Sequence, residues 1–238
     1  MFDFNDKVVI ITGAAGNLGA GVARTFLNSG ARLVLVDRSP DRVRKMFPEL
    51  VDSDRHYLAT SVDLNDAAAV DEAVKSAFDK FGRIDALINT AGGYRAGTPL
   101  HETPPEDWDF LMNLNARSVF TACRAVIPYL LRNGSGKIVN VSSRAANAGE
   151  RDASIYSVSK TAVVRLTESM AAELKENNIN VNCVLPGMID TPPNRQAMPG
   201  ADFSRWVKVE DLANVIAFLA SDLAVAINGA AVPVYGRG

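Results

Sequence analysis

The chain of 238 residues has the size of one large domain or two small ones. Hydrophobic residues make up 47% of it and charged residues 22%, which excludes a disordered chain. With 25 basic and 27 acidic residues, the net charge of −2 provides no large positive field for nucleic acid. No apolar run approaches the roughly 20 residues of a membrane span, and residues 1–7 lack a secretory signal pattern. We expect a cytoplasmic globular protein, with Cys123 and Cys183 as core residues in a reducing compartment.

Seven short runs rich in β-branched residues alternate with longer amphipathic stretches along the chain. The runs predict strands at 7–12, 31–37, 56–63, 85–90, 136–143, 179–186 and 230–235. The amphipathic stretches predict helices that include 66–81, 105–131, 157–176 and 208–220. Because the central strands are continuously apolar, helices are expected on both faces of a parallel sheet. Residues 1–238 are therefore predicted to form one α/β domain, a doubly wound sheet of about seven mainly parallel strands that binds ligands beyond the carboxyl ends of the strands.

A glycine-rich turn joins the first predicted strand to a helix. Its glycines expose backbone N–H groups at the helix N-terminus and let phosphates approach the backbone. Asp37 ends the second strand, where its carboxylate can accept both ribose hydroxyl protons and repel a 2′-phosphate; alternatively, Asp37 only caps the next helix. Arg38 beside it could hold a 2′-phosphate. The expected cofactor is NAD, with NADP the less favoured alternative, and the expected contacts in the turn are Gly13, Gly16, Asn17, Leu18 and Gly19.

A tyrosine and a lysine lie four residues apart in a predicted helix. Tyr156 and Lys160 share one helical face, where an ammonium group would stabilise the phenolate and lower a pKa that starts near 10. A tyrosine tuned in this way suits general acid–base chemistry. Ser143 lies 13 residues upstream of Tyr156 (156 − 143) at the end of the fifth predicted strand. On their own, the Tyr–Lys pair could be a solvated surface pair and Ser143 a cap, and Ser142 could serve as well.

Taken together, these motifs resemble the short-chain dehydrogenase/reductase family, and the likeness runs from about Lys7 to the C-terminus. The family's turn usually reads TGxxxGxG; here Asn17 replaces the middle glycine, and Asn is the next most tolerant residue of left-handed backbone. The resemblance implies one NAD(P)-binding Rossmann-type domain that transfers hydride between nicotinamide and a carbonyl or alcohol substrate. It further implies that Tyr156 transfers the proton, that Lys160 tunes it and holds the nicotinamide ribose, and that Ser143 orients the substrate oxygen.

Three further motifs match the family's cofactor-binding positions. The resemblance assigns Asp63 and Leu64 to the adenine. It assigns the NTAG motif at 89–92, in which Thr90 replaces the second asparagine of NNAG, to the ribose. It assigns the PG motif at 186–191 to the nicotinamide carboxamide. In chain order these positions are Asp63, Leu64, Asn89, Ala91, Gly92, Pro186, Gly187, Ile189 and Thr191. Asn115 matches the family's helix asparagine, which holds a water through a backbone kink and completes a proton relay to the lysine. The alternative is that Asn115 is an exposed helix residue.

The segment at about 188–207, the substrate loop, contains two prolines and a Pro-Gly pair and is predicted to be irregular. Its amino-acid sequence is similar to the corresponding stretch of dihydropteridine reductases, which reduce a quinonoid pterin with NADH and lack the family's serine. Retention of Ser143 points back to ordinary carbonyl chemistry. Arg95, Arg144, Arg151 and Arg195 could attract an anionic substrate, or could be solvated loop charges. The residues expected in the substrate pocket are Tyr94, Arg144, Met188, Arg195 and Trp206.

Two other functions stay open at this point. One is pterin reduction, and the other is a non-catalytic dinucleotide-binding sensor or scaffold, because fold alone does not assign function. The expected partner is a small-molecule substrate, and no metal is expected because His56 and His101 lie outside any ligand spacing. By resemblance, a homodimer or homotetramer would form through the helices predicted near 105–131 and 156–176.

Overall fold

A parallel sheet of seven strands lies at the centre of the protein, whose computed structural model describes residues 2–238. The strand order is β3-β2-β1-β4-β5-β6-β9, and every neighbouring pair is parallel. This confirms the predicted doubly wound α/β sheet. The strands are β1 (Val8–Thr12), β2 (Arg32–Asp37), β3 (Tyr57–Thr60), β4 (Ala86–Asn89), β5 (Gly136–Val141), β6 (Ile179–Pro186) and β9 (Ala231–Val234).

Helices cover both faces of this sheet. Two separate clusters of buried apolar side chains, one on each face, fill the space between sheet and helices. Strands β1, β4, β5 and β6 are buried along their whole length, as the continuous apolar runs predicted. The α-helices are α1 (Asn17–Asn28), α2 (Pro40–Met46), α3 (Ala67–Phe81), α4 (Pro105–Leu111), α5 (Ser118–Asn133), α6 (Ser154–Leu174), α7 (Pro192–Ala197) and α8 (Val209–Ala220).

The helix predicted at 105–131 is not continuous. Residues Met112–Arg117 form a π-helical segment between α4 and α5, so the hydrogen-bonding ladder changes there. Such segments inside α-helices frequently mark functional sites. The resemblance implied a backbone kink at Asn115, and the π-helical segment lies at that position. The apolar periodicity alone does not register such a local insertion in the ladder.

The substrate loop is more ordered than its prolines suggested. Helix α7 occupies Pro192–Ala197, and a 3₁₀ turn occupies Phe203–Arg205. Two short parallel strands, β7 (Ile189–Asp190) and β8 (Val207–Lys208), pair at the base of the loop. The prediction of an irregular segment was wrong over α7, where Pro192 and Pro193 lie in the first helical turn that tolerates proline.

The carboxyl ends of the strands position the motifs. The glycine-rich turn follows β1, Asp37 ends β2, Thr90 to Gly93 follow β4, and Ser142 and Ser143 follow β5. In open parallel sheets this edge is where ligands bind, beside the point at which the strand order reverses. Here that point lies between β1 and β4. Within residues 2–238, no helix is both long and apolar enough to cross a membrane.

Candidate active site

The glycine-rich turn between β1 and α1 is closely packed. Gly13 has φ of +65°, a conformation that side chains rarely adopt, and a Cβ there would lie 2.7 Å from the Ala91 Cα. A Cβ at Gly19 would lie 2.1 Å from the Gly13 carbonyl oxygen. Gly16 precedes α1 and has no side chain to occupy the helix N-terminus. The first backbone N–H groups of α1 are therefore accessible to an anion, as a pyrophosphate site requires.

Asn17 does not need the left-handed backbone that its replacement of a glycine suggested. It is the first residue of α1 and does not have positive φ; in the turn only Gly13 does. That explanation of the departure from the family pattern was wrong. Leu18 packs against the apolar core beneath the helix.

A recess of about 200 Å³ lies between this turn and the ends of β2, β3 and β4. We call it the glycine-turn recess. It brings together eight of the residues predicted from sequence to hold the cofactor, and a larger cavity of about 330 Å³ elsewhere contains none of them. The recess is lined by Gly13, Gly16, Asp37, Arg38, Arg42, Val62, Asp63, Leu64, Thr90, Ala91 and Gly92.

Asp37 holds the turn as well as lining the recess. One carboxylate oxygen accepts a hydrogen bond from the Ala15 N–H at 2.9 Å, and the other accepts from the Ser39 N–H at 2.9 Å. The bond to Ser39, the residue that precedes α2, closes a local turn and does not cap the helix, since α2 begins without a side-chain cap. The bond to Ala15 links β2 to the glycine-rich turn. Arg42, which the sequence reasoning missed, donates to the Ala15 carbonyl at 2.7 Å.

Asn89 was expected to contact the cofactor, but its side chain points into the core. It donates to Asn140 Oδ1 at 2.9 Å and accepts from the Thr12 hydroxyl at 3.2 Å. It therefore ties β4 to its neighbours β5 and β1 and does not line the recess. Thr90 donates to the Thr12 carbonyl at 2.6 Å, which fixes the start of the loop after β4.

Lys160 and Tyr156 lie in the first turns of α6, beside the end of β5. Lys160 is 5% exposed, and its ammonium group donates to the Val141 carbonyl at 3.1 Å. Burial lowers the pKa of Lys160 to about 8. Burial likewise raises the pKa of Tyr156, and the Ser143 hydroxyl opposes that rise. The expectation of a lowered pKa of Tyr156 was therefore wrong for this structure, because desolvation of the phenol outweighs the other effects.

The two serines after β5 have different roles. Ser142 is buried and donates to the Lys160 carbonyl at 2.8 Å, so it fixes α6 against the strand. Ser143 is half-buried, and its hydroxyl accepts from the Ala145 N–H at 3.2 Å, which caps a short 3₁₀ turn. The capping interpretation of Ser143 thus describes one contact of a hydroxyl that also lies beside Tyr156. Of the two serines, only Ser143 remains accessible to a substrate oxygen.

Asn115 lies in the π-helical segment and is fully buried, which excludes an exposed helix position. Its side-chain oxygen accepts from the Gly93 N–H at 2.9 Å, and its amide donates to the Gly93 carbonyl at 3.1 Å and to the Ser159 hydroxyl at 3.0 Å. A Cβ on Gly92 would lie 3.1 Å from both Asn115 Oδ1 and Lys160 Nζ. Asn115 therefore anchors the loop after β4 against α6, and the kink that the resemblance implied is the π-helical segment.

The motif after β6 builds the base of the substrate loop. Gly187 packs against Tyr235, where a Cβ would lie 3.1 Å from the carbonyl oxygen, and it follows Pro186 at the end of β6. Ile189 pairs with Val207 across the two short strands. The Thr191 hydroxyl caps α7 by accepting from the Asn194 N–H at 3.4 Å. These contacts fix the loop. Thr191 is the residue that precedes α7, and its hydroxyl oxygen is already engaged in a hydrogen bond within the loop.

The rim arginines all lie close to carboxylates. Arg195 makes a two-pronged pair with Asp190, at 2.5 and 2.7 Å, and its guanidinium lies 4.7 Å from the ring centre of Phe203. Phe203 in turn packs against Trp206 at 4.8 Å. The other three arginines lie within 4.0 Å of a carboxylate: Arg95 with Asp107, Arg144 with Glu150, and Arg151 with Asp152. Arg195 therefore holds the substrate loop together through Asp190 and Phe203. Because each of the four arginines has a carboxylate neighbour, the structure disfavours the hypothesis of an anionic substrate.

Tyr94, predicted from sequence to lie in the substrate pocket, contacts Tyr156. Its ring meets the ring of Tyr156 edge-on, with 4.8 Å between centroids, while 67% of Tyr94 stays exposed. Met188 is also an exposed apolar residue, next to the start of β7.

Both cysteines are buried, and burial raises the pKa of Cys123 to about 12 and that of Cys183 to about 11. Within residues 2–238, no group of three or more His, Cys, Asp or Glu side chains could hold a metal ion.

The sheet order, the close-packed turn and the recess define a Rossmann-type nucleotide-binding protein. The residues fit a dinucleotide, because Gly13 leaves no room for a Cβ where the backbone must approach the ligand, and α1 begins without a side-chain cap. A family model described as short chain dehydrogenase matches residues 7–232. The chain belongs to the short-chain dehydrogenase/reductase family, and it is an NAD(P)-dependent oxidoreductase.

Individual relatives agree with this assignment. The chain is 35% identical to (2S)-[(R)-hydroxy(phenyl)methyl]succinyl-CoA dehydrogenase subunit BbsD of Thauera aromatica, covering 97% of this chain and 96% of that one. It is 33% identical to 3-oxoacyl-[acyl-carrier-protein] reductase FabG of Thermotoga maritima, with the same coverage of 97% and 96%. A short-chain type dehydrogenase/reductase from Mycobacterium ulcerans superimposes with a TM-score of 0.92 at 28% identity, covering 99% of this chain and 90% of that one.

Proposed function

We propose that the protein interconverts a carbonyl and an alcohol on a small molecule, with Tyr156 as the general acid–base. The observation that carries this proposal is the convergence of the Tyr156 phenol, the Ser143 hydroxyl and the Lys160 ammonium between the end of β5 and the start of α6. These three groups lie at the edge of the sheet that also holds the glycine-turn recess.

Each group has a role that its surroundings support. Ser143 donates a hydrogen bond to the substrate oxygen and orients it towards Tyr156, which gives or takes the proton at that oxygen. Lys160, held by the Val141 carbonyl, has further N–H groups to donate to ribose hydroxyls. The nicotinamide, when bound, supplies or accepts the hydride. Asn115 keeps the loop after β4 in place through Gly93, so that the wall of the pocket opposite α6 does not move.

We propose NAD as the preferred cofactor. Asp37 ends β2 at the glycine-turn recess and presents a carboxylate that repels a 2′-phosphate and accepts hydrogen bonds from ribose hydroxyls. Arg38 in the same recess weakens this discrimination, so we expect NADP to bind less tightly rather than not at all. Binding of NADH and NADPH, followed by isothermal titration calorimetry, tests the order of affinities.

The test of the catalytic assignment is Tyr156→Phe. We expect this variant to lose nearly all turnover while its dissociation constant for NADH stays within about twofold of wild type, because only the proton-transferring hydroxyl is removed. Tyr129→Phe is the matched control, because Tyr129 packs against Phe78 of α3 and does not line the glycine-turn recess. Turnover is measured with ketones, 3-ketoacyl thioesters and quinonoid dihydropteridine. The last of these substrates tests the alternative function, pterin reduction. Wild-type turnover in Tyr156→Phe would refute the assignment. A chain that binds NADH but turns over none of these substrates would favour a sensor.

We also propose a homodimer or homotetramer in the cytoplasm. Several large apolar side chains are exposed on the helices that the resemblance assigns to the interface, which is unusual for a surface facing water. They are Trp108 and Phe110 on α4, Phe120 and Leu131 on α5, and Val158 on α6. Light scattering at micromolar concentration measures the assembly, and a clean monomer would contradict it.

A further inference from the structure

We propose that Arg42 is a specificity-determining residue of the cofactor site, which sets how well the enzyme tolerates a 2′-phosphate on the dinucleotide. This inference rests on the proposed function, and in particular on the position of the adenosine ribose in the glycine-turn recess. Arg42 belongs to none of the sequence motifs that indicated the cofactor. The structure places it in the recess from the first turn of α2.

The guanidinium of Arg42 is fixed in position by the backbone of the turn. One of its N–H groups donates to the Ala15 carbonyl at 2.7 Å, while the Ala15 N–H donates to Asp37 at 2.9 Å. Ala15 is thus held on both of its backbone polar groups, by a carboxylate on one side and a guanidinium on the other. Because Ala15 lies in the phosphate-binding turn, this contact, which we call the Ala15 clasp, links the turn directly to the ribose end of the recess.

The charge of Arg42 is not compensated by a carboxylate. Among residues 2–238, it makes no ion pair, whereas Arg24, Arg95 and Arg195 each have a carboxylate partner. A guanidinium has five N–H donors, and the Ala15 carbonyl uses one of them. The remaining donors are on a group that lines the recess and that one hydrogen bond already orients, so less rotamer entropy would be lost on binding an oxyanion than for an unattached side chain.

The recess therefore carries mixed charge. Asp37 contributes one negative charge, and Arg38 and Arg42 contribute two positive charges. A carboxylate alone would strongly disfavour binding of a 2′-phosphate, but here two guanidinium groups line the same recess as the carboxylate. Because both oxygens of Asp37 already accept backbone N–H groups, part of its charge is also offset by these bonds. These charges reduce the preference for NADH that Asp37 alone would give, and Arg42 supplies one of the two positive charges that do so.

The experiment measures the dissociation constants of NADH and NADPH for the full-length wild type, Arg42→Ala and Arg42→Lys. We expect Arg42→Ala to weaken NADPH by about 10-fold or more, the size of a lost charge-assisted hydrogen bond, and NADH by about threefold or less, through loss of the Ala15 clasp. Arg42→Lys keeps the charge but not the planar fork, so its affinity for NADPH should fall between the other two. Arg44→Ala is the matched control, because Arg44 is an exposed arginine on the same helix that does not line the recess.

The possible results separate the two proposals. Equal weakening of NADH and NADPH in Arg42→Ala, or affinities equal to those of Arg44→Ala, would overturn the assignment of Arg42 and leave the proposed function intact. A wild type that binds neither dinucleotide would refute the proposed function instead. Competition by 2′,5′-ADP and 5′-AMP provides a second measurement: Arg42→Ala should lose affinity for 2′,5′-ADP selectively. Thermal melting of each variant checks that the exposed substitution leaves the fold unchanged.

Discussion

In Gly19→Ala, a favourable effect on helix propensity opposes an unfavourable steric clash. Alanine in place of glycine normally stabilises a helix by about 1 kcal/mol, and Gly19 lies in the first turn of α1 without positive φ. The new Cβ, however, would lie 2.1 Å from the Gly13 carbonyl oxygen and 2.8 Å from the Thr90 hydroxyl. A backbone oxygen cannot turn away as a side chain can, so either α1 or the glycine-rich turn must move by more than 1 Å to restore ordinary contact.

The expected cost exceeds the gain in helix propensity. Overpacking of a close contact costs about 1–3 kcal/mol, and a backbone clash belongs at the upper end of that range, so we expect a net loss of about 2 kcal/mol. For a protein of this size such a loss lowers Tm by about 4–8 °C. We further expect the dissociation constant for NADH to rise at least 10-fold, because the turn that receives the phosphates is the element displaced.

Gly21→Ala is the matched control for Gly19→Ala. It lies on the same helix, but its new Cβ would meet Val209 Cγ1 of α8 at 2.2 Å, away from the turn. It should lower Tm as well, yet leave the affinity for NADH within about threefold of wild type. The assay is thermal melting together with calorimetric titration of NADH. If Gly19→Ala melts above wild type and binds NADH normally, the packing of α1 on the turn described above is wrong.

Two further predictions concern buried titratable groups. Burial lowers the pKa of Lys160 from 10.5 to about 8, so between these pH values the unfolded chain binds more protons and stability rises with pH. Relative to Lys160→Met, the free energy of unfolding of wild type should increase by up to about 3 kcal/mol between about pH 8 and 10.5; urea titrations at each pH measure it, and a constant difference would contradict the assigned burial. Because burial raises the pKa of Cys123 to about 12 and of Cys183 to about 11, neither thiol should react with a disulfide reagent at pH 8 until the chain unfolds. Rapid labelling of the native protein would contradict that burial.

The sequence predicted those parts of the protein that depend on short-range pattern. Strand β6 has the bounds that its apolar run predicted, and β1 differs from its predicted run by one residue. Tyr156 and Lys160 were placed on a common helix face because a four-residue spacing determines that face wherever the helix lies. Of the recess residues, Gly13, Gly16, Asp37 and Arg38 were predicted from the glycine-rich turn and the end of the second strand. Asp63, Leu64, Ala91 and Gly92 were predicted only from the resemblance to the family.

The features that the sequence did not reveal depend on contacts between distant residues. Arg42 reaches Ala15 across 27 positions, and Asn115 reaches Gly93 across 22 positions. The pair of Arg195 with Asp190 spans only five positions, but the prolines of this segment concealed the helix that brings the two side chains together. The raised pKa of Tyr156 was missed for a related reason: the lysine four residues away is evident from sequence, whereas the burial that dominates is a property of the packed site.

The same burial explains why Lys160 is suited to a cofactor site. Its ammonium group is buried, and the Val141 carbonyl accepts one of its three N–H groups. Neighbouring Gly92 leaves this position open, since a Cβ there would lie 3.1 Å from the Lys160 nitrogen. Burial of an ammonium group costs free energy of desolvation, and hydroxyl acceptors from a bound ribose would offset part of that cost. The lowered pKa of Lys160 and its proposed role in holding the ribose therefore have one physical origin, the desolvation of an ammonium group beside a residue without a side chain.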